Sequence, residues 1–225
     1  VTYDLNTAGD AAVVLLSGGQ DSATCVAWAL ATFTRVKAVI FDYGQRHNVE
    51  LAAAVAIAAA ARIEHEIVPI TGLRGSSLTD HEREVTADGG MHGLPSTFTP
   101  GRNAVFMSIA AGVAVEFGAG NLVTGICQTD YSGYPDCRED FRVAMEATLN
   151  AALGIDWFRI HAPLMFRTKA QTVELAVELE AMPLLKHSHT CYLGERPACG
   201  TCPACVLRLK GFAEQGVADP IAYQQ

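Results

Sequence analysis

No apolar run in this 225-residue sequence is long enough to cross a bilayer. The longest, residues 51–61, spans eleven residues and is mostly alanine, against the roughly 20 that a membrane helix needs. Positive charge is also short: 16 lysines and arginines stand against 24 aspartates and glutamates, a formal net charge of −8. The mean field therefore repels nucleic acid, and any phosphate the chain binds must be met by a local cluster of donors. Residues 1–10 carry neither a basic segment nor an apolar stretch ahead of a small-residue cleavage site, so a cytoplasmic location is expected. Several catalytic signatures are missing. No Gly-Lys-Ser/Thr Walker loop and no G-x-G-x-x-G opening a helix is present; His81-Glu82 lacks the second histidine of a zinc protease, and there is no G-x-S-x-G elbow. There is no internal repeat and no low-complexity segment beyond the alanine run. What remains is 50% apolar residues over 225 positions, enough for one large domain or a domain with an appendage.

The cysteines are unevenly spread. Of the seven, Cys191, Cys199, Cys202 and Cys205 fall within fifteen residues as C-x7-C-x2-C-x2-C. Four thiolates at this spacing suit a tetrahedral Zn²⁺ with no open position for water, a structural site. Gly200 and Pro203 supply the tight turns. An iron–sulfur cluster and a redox dithiol are the alternatives to zinc. His187 and His189 could replace one of the cysteines as a ligand. Cys25, Cys127 and Cys137 are isolated and expected to be small buried hydrophobes.

Apolar runs alternate with amphipathic segments along most of the chain. Strands are expected at residues 13–16, 36–41, 67–70, 122–126 and 157–161. Helices are expected after the first strand, over residues 48–62, 103–117 and 141–152, and from a Thr168/Gln171 capping box to about residue 180. Residues 71–100 read as a long loop, a length that is usually functional or mobile. Five β-α repeats imply a parallel, doubly wound sheet with helices on both faces. Ligands of such sheets sit beyond the carboxyl ends of the strands.

At the first of those ends stands Ser17-Gly18-Gly19-Gln20-Asp21-Ser22. Two glycines let the backbone approach a ligand and turn successive N–H groups toward it, and the following helix adds its positive end, which together make an anion site. The plain alternative is a strand-to-helix turn capped by Asp21 or Ser22, a cap worth about 1 kcal/mol. One capping residue would satisfy that alternative, whereas here six consecutive residues are small or polar.

The loop resembles that of the ATP pyrophosphatase superfamily. Further motifs narrow the resemblance: Phe41-Asp42-Tyr43-Gly44-Gln45-Arg46-His47, Pro100-Gly101-Arg102-Asn103, Thr129-Asp130-Tyr131-Ser132-Gly133-Tyr134-Pro135-Asp136-Cys137-Arg138, and the cysteine module ending in Leu207-Arg208. In that order they are similar to the 7-cyano-7-deazaguanine synthase (QueC) family of queuosine and archaeosine precursor synthesis, over about residues 12–220. The match is weakest over residues 72–95.

The resemblance implies a carbon–nitrogen ligase that converts 7-carboxy-7-deazaguanine to the nitrile with ATP and ammonia, through an adenylate and an amide. It also suggests a homodimer. In those terms Ser17, Gly18, Gly19, Gln20, Asp21 and Ser22 hold the ATP phosphates with Mg²⁺, and Asp42, Tyr43, Gly44 and Gln45 border the adenosine. The deazaguanine falls to Arg102, Asn103, Asp130, Tyr131, Tyr134, Asp136 and Arg138. The two tyrosines offer stacking faces, the carboxylates accept from ring N–H and amine, and the arginines offer forks to a carboxylate or phosphate. Lys169 and Asp136 are the candidate catalytic groups, Lys169 to stabilise charge at the reacting phosphate. Each has a plainer reading as well: a turn around Gly44, a Gly-Tyr-Pro turn, a solvated lysine near a helix start. Residues 1–185 would form the ATP-binding domain and residues 186–225 a zinc-binding module packed on it.

Two competing functions remain. A tRNA-base-modifying enzyme of the same superfamily, a thiolase or lysidine synthetase, is disfavoured by the acidic balance and the lack of a basic appended domain. A non-catalytic zinc-ribbon module on a nucleotide-binding sheet leaves residues 130–138 unexplained.

Overall fold

The computed structural model describes residues 8–45, 49–80, 82, 84, 86, 88, 90–129 and 133–224. Five strands, β1 (Ala11–Leu15), β2 (Arg35–Asp42), β3 (Glu64–Pro69), β4 (Asn121–Val123) and β5 (Arg159–His161), form one parallel sheet in the order β3-β2-β1-β4-β5. The connections are α1 (Gln20–Thr32), α2 (Val49–Ala61), α3 (Arg102–Phe117), α4 (Glu139–Leu153) and α5 (Lys169–Glu178), followed by α6 (Met182–Leu185) and α7 (Pro203–Glu214). The order reverses between β1 and β4, which opens the crevice at the switch point where doubly wound sheets bind ligands.

Period-two alternation builds the two cores. Ala12, Val14 and Leu16 with Ala38 and Ile40 face one layer, where Val26, Ile57, Leu185 and Phe212 close over them. Ala11, Val13, Val39 and Phe41 face the other, against Met107 of α3, Leu149 of α4 and Phe158. β1 is covered on both faces, which is why its sequence is a continuous apolar run.

The outer edges are built differently from the centre. β3 begins Glu64-His65-Glu66, and Lys37 Nζ lies 2.9 Å from Glu66 Oε2. The expected strand at residues 67–70 therefore starts three residues earlier and ends at Pro69, because an edge strand tolerates charge where a central one does not. β4 and β5 are shorter than the expected 122–126 and 157–161, with Thr124 N–H bonding His161 O just past the ladder. On the outer side of β5, side chains of α4 take the positions of a sixth strand. Asn150 accepts from Phe158 N–H at 3.1 Å and donates to Phe158 O at 2.9 Å. Glu146 accepts from Ile160 N–H at 2.7 Å, and Arg142 donates to Ile160 O at 2.9 Å.

The long segment between β3 and α3 is packed. Ser76, Ser77, Ser96, Thr97 and Thr99 are buried, and the Ser96 hydroxyl joins Ser77, the Thr86 N–H and the Glu84 carbonyl. The capping box at Thr168 and Gln171 forms as expected.

The C-terminal segment is anchored by Arg208, whose side chain is 1% exposed. Its Nε and Nη2 meet the two Asp219 oxygens at 2.8 and 2.9 Å, and its Nη1 reaches the Ser188 and Thr190 hydroxyls at 2.7 and 2.9 Å. Tyr223 OH donates to Asp219 at 2.7 Å. A buried ion pair this well satisfied is costly to halve, because the remaining charge stays buried without its partner. Asp219→Ala is expected to lower unfolding free energy by about 3–5 kcal/mol in urea titration; a loss within experimental error would show that this network does not anchor the segment.

Candidate functional site

At the end of β1 the chain turns through Gly18, at φ +90°, into α1. A Cβ there would lie 2.4 Å from the Glu50 carbonyl oxygen and 2.9 Å from the Ala54 nitrogen, so α2 leaves room only for glycine. On the other side, His189 N–H donates to Gly18 O at 2.8 Å. Ser17 Oγ donates to Ser22 Oγ at 3.1 Å, and Ser22 Oγ to Gly19 O at 3.0 Å. Gly19 is the N-cap of α1 and provides no side-chain cap. The alternative of a capped turn at Asp21 or Ser22 therefore does not form, and the helix presents an uncapped N-terminus to the crevice.

A cavity of about 340 Å³ opens there, within the range of small-molecule sites. Ser17, Gly19, Gln20, Asp21 and Ser22 form its floor, with Tyr43, Gln45, Arg102, Asn103, Tyr134, Cys137 and Lys169 around it. Lys169 Nζ lies 2.6 Å from Asp21 Oδ2. Asp21 Oδ1 is buried with no hydrogen-bond partner among the described residues, and so are both amide atoms of Gln20. Buried polar atoms without partners are uncommon in folded proteins and call for a cause such as a bound water or ion, or a catalytic role.

Arg102, at the first position of α3, is the positive centre of the opposite wall. Burial works against its charge, but Tyr43, Asp136, Cys137 and Tyr134 around it outweigh that and hold its pKa above the usual value. Burial raises the Tyr43 hydroxyl, against a hydrogen bond from Arg102. Burial also raises Asp136, against Arg102 and the Asn103 N–H. Asp136 Oδ2 accepts from that N–H at 3.3 Å, and Asn103 Nδ2 donates to Asp136 O at 2.9 Å and to Cys137 Sγ at 3.4 Å. These bonds clip the 3₁₀ turn Pro135–Cys137 to the start of α3. Tyr134 shares a hydrogen bond with Thr97 and packs on Phe98, ring centroids 5.4 Å apart. Residues 72–95, where the family match is weakest, contribute Leu78 to the cavity wall, beside Thr97.

Not every expected site residue reaches this cavity. Asp42 serves its own turn, its Oδ1 accepting from Gly44 N–H, whereas Gln45 lines the cavity while bridging Tyr43 N–H and Phe41 O. Gly18, Asp42, Gly44, Asp136 and Arg138 are absent from the cavity lining, and Arg138 is exposed, donating to Gly133 O at 3.1 Å. Asp130 and Tyr131, like His47, lie outside the described residues.

Cys191, Cys199, Cys202 and Cys205 are all buried, with their sulfurs within 4.8 Å of one another. Cys199 Sγ accepts from the Thr201 and Cys202 N–H groups at 3.4 and 3.3 Å. Four converging thiols, one already receiving two N–H bonds, fit a metal ion; neither His187 nor His189 joins the cluster among the described residues.

Sequence reasoning missed Glu50. It opens α2 and lines the cavity, and burial pushes its carboxyl up to about 7, with Arg102 pulling the other way. Its folded-state pKa stands above the ordinary 4.5. The associated stability is therefore present at pH below the unfolded value and lost as pH rises through about 7. Glu50→Gln should resist urea better than the parent protein at pH 8, with the difference shrinking toward pH 5. Equal midpoints at both pH values would contradict the burial of this carboxyl.

The model of the family described as queuosine biosynthesis protein QueC matches residues 11–216. The 7-cyano-7-deazaguanine synthase of Laribacter hongkongensis is 54% identical, covering 93% of this chain and 93% of its own, and that of Chromobacterium violaceum is 51% identical, covering 96% and 95%. Among solved structures, an NMN synthetase from Francisella tularensis superposes with a TM-score of 0.47 at 17% identity, over 96% of this chain and 76% of that one. By the extent of the family match and the identity to these synthases, the chain belongs to the QueC family.

Proposed function

We propose that this protein converts 7-carboxy-7-deazaguanine and ammonia to 7-cyano-7-deazaguanine at the expense of ATP, by adenylate activation and an amide intermediate. The observation that carries the reading is that two half-sites line one cavity: the uncapped start of α1 with Gly19, Lys169 and Asp21, and the Arg102 wall with Tyr134. The first suits phosphates and the second suits a carboxylate on an aromatic base.

A carboxylate is a poor electrophile, so one oxygen must first become a leaving group. The backbone N–H groups of the loop would hold the phosphates, and Gln20, whose amide lacks partners among the described residues, would complete that shell. Lys169 would exchange Asp21 for the developing phosphate charge, a contact stronger in the transition state than before it. Arg102 orients the carboxylate, held in place by Tyr43 and the clipped turn below it. Asp130 and Tyr131, with Tyr134 and Arg138, are proposed to read the base, and Asp136 to set the position of Asn103 and Arg102. Asp42, Tyr43, Gly44 and Gln45 shape the adenosine side. For the nitrile, the amide oxygen is activated in the same place.

Mg²⁺ would be held by Asp21, whose Oδ1 has no partner among the described residues, and would offset phosphate charge that a protein of net charge −8 cannot neutralise globally. Zn²⁺ would be held by Cys191, Cys199, Cys202 and Cys205, as a structural site without a coordination position for substrate. We further propose a homodimer and a cytoplasmic location, and residues 1–185 and 186–225 as catalytic domain and zinc module.

Incubation with 7-carboxy-7-deazaguanine, ATP, Mg²⁺ and ammonium should yield the amide and the nitrile by mass spectrometry. ATP consumption that appears only when tRNA is added would favour a tRNA-modifying enzyme instead. Asp21→Ala should lower turnover by at least about 100-fold with little loss of folding, and turnover near that of the parent would remove the loop from the mechanism.

Elemental analysis should find one zinc per chain. Its removal by a chelator should lower the melting temperature, because binding free energy at such a site is folding free energy. An unchanged melting temperature after complete metal loss would refute the structural role.

A further inference from the structure

We infer that Glu50 is the catalytic base of amide formation, accepting a proton from the ammonia nitrogen as it attacks the activated carboxyl carbon. The inference rests on the proposed function and adds a residue to it. Among the described residues, Asp21 and Glu50 are the two carboxylates that line the cavity. Asp21 is held by Lys169 at 2.6 Å. Glu50 makes no hydrogen bond or ion pair with any described residue; its electrostatic neighbours are Arg102 and Tyr43. Gly18 packs closely on the Glu50 carbonyl, so the side chain starts beside the proposed phosphate loop.

The other titratable groups on the wall are engaged. Tyr134 is tied to Thr97 and Tyr43 to Arg102; Lys169, Cys127, Cys137 and His189 also have interactions of their own. Facing Glu50 are Tyr43 at the end of β2 and Arg102 on α3, with Asp21 of α1 and Lys169 of α5 on the same cavity. Burial leaves its carboxyl near 7, where a base is both substantially ionised at neutral pH and basic enough to accept a proton.

The step balances as follows. The ammonia lone pair forms the C–N bond, the C–O bond to AMP breaks with its electron pair leaving on the phosphate oxygen, and one N–H proton passes to the Glu50 carboxylate. The resulting carboxylic acid returns its proton to water. Adenylation precedes this step and makes no use of Glu50.

The test separates nucleophiles. Hydroxylamine is a stronger nucleophile than ammonia and loses its proton more readily once bonded to carbon, so it depends less on a base. Glu50→Gln should retain substrate-dependent ATP–pyrophosphate exchange and form the hydroxamate within about 10-fold of the parent rate, while amide formation from ammonium falls by about 100-fold or more. Glu50→Asp, which keeps a carboxylate, should recover part of the ammonium reaction. Amide formation within a few-fold of the parent in Glu50→Gln, or equal losses with the two nucleophiles, would overturn the assignment. If the parent protein itself shows no exchange with 7-carboxy-7-deazaguanine, the proposed function fails instead, so the two failures are distinct.

Discussion

The close approach at Gly18 governs the arrangement of this molecule. Three separate parts of the chain meet at that one peptide: the end of β1, the first turns of α2 through the Glu50 carbonyl, and the C-terminal segment through the His189 N–H. The close approach leaves little room for any of the three to shift alone, and the same contact places the start of Glu50 beside the loop.

The cysteine module acts on the site through packing. Its fourth ligand position lies in the first turn of α7, and the same helix carries Arg208, which draws in Ser188, Thr190 and Asp219. One turn further, Gly211 lies against the start of α5, where a Cβ would stand 3.0 Å from the Lys169 backbone carbon and Cβ. The tail thus touches both halves of the proposed phosphate subsite, Gly18 through His189 and Lys169 through Gly211. A sequence boundary near residue 185 separates compositions, yet the site itself draws on both sides of it.

How much of this was legible in the sequence followed from burial. β1 and its loop could be read directly, since a strand covered on both faces is an unbroken apolar run and a glycine pair at its end has few other uses. β3 was half hidden because its first residues, Glu64-His65-Glu66, carry the charge of an exposed edge. The turn at residues 42–45 was recognised as a motif, but its inward groups are Tyr43 and Gln45, while Asp42 serves the turn itself. Asp136 was marked for its carboxylate, which the fold uses against the Asn103 N–H. Glu50 escaped because a glutamate in the first turn of an alanine-rich helix is what helix electrostatics alone would place there. Only the tertiary approach of α2 to Gly18 brings it to the cavity. The signal available was its position, a lone carboxylate just beyond the polar loop after the second strand.

The side chains that line the outer rim of β5 have a consequence for association. An open parallel sheet normally ends in unpaired N–H and C=O groups that can template another strand. Here Asn150, Glu146 and Arg142 occupy those groups at Phe158 and Ile160, and Glu139 grips Arg142 through two bonds of 2.6 and 2.8 Å. The rim is closed to strand addition, so copies of this protein cannot zip into a continuous sheet at β5, and a symmetric pair must meet elsewhere on its surface.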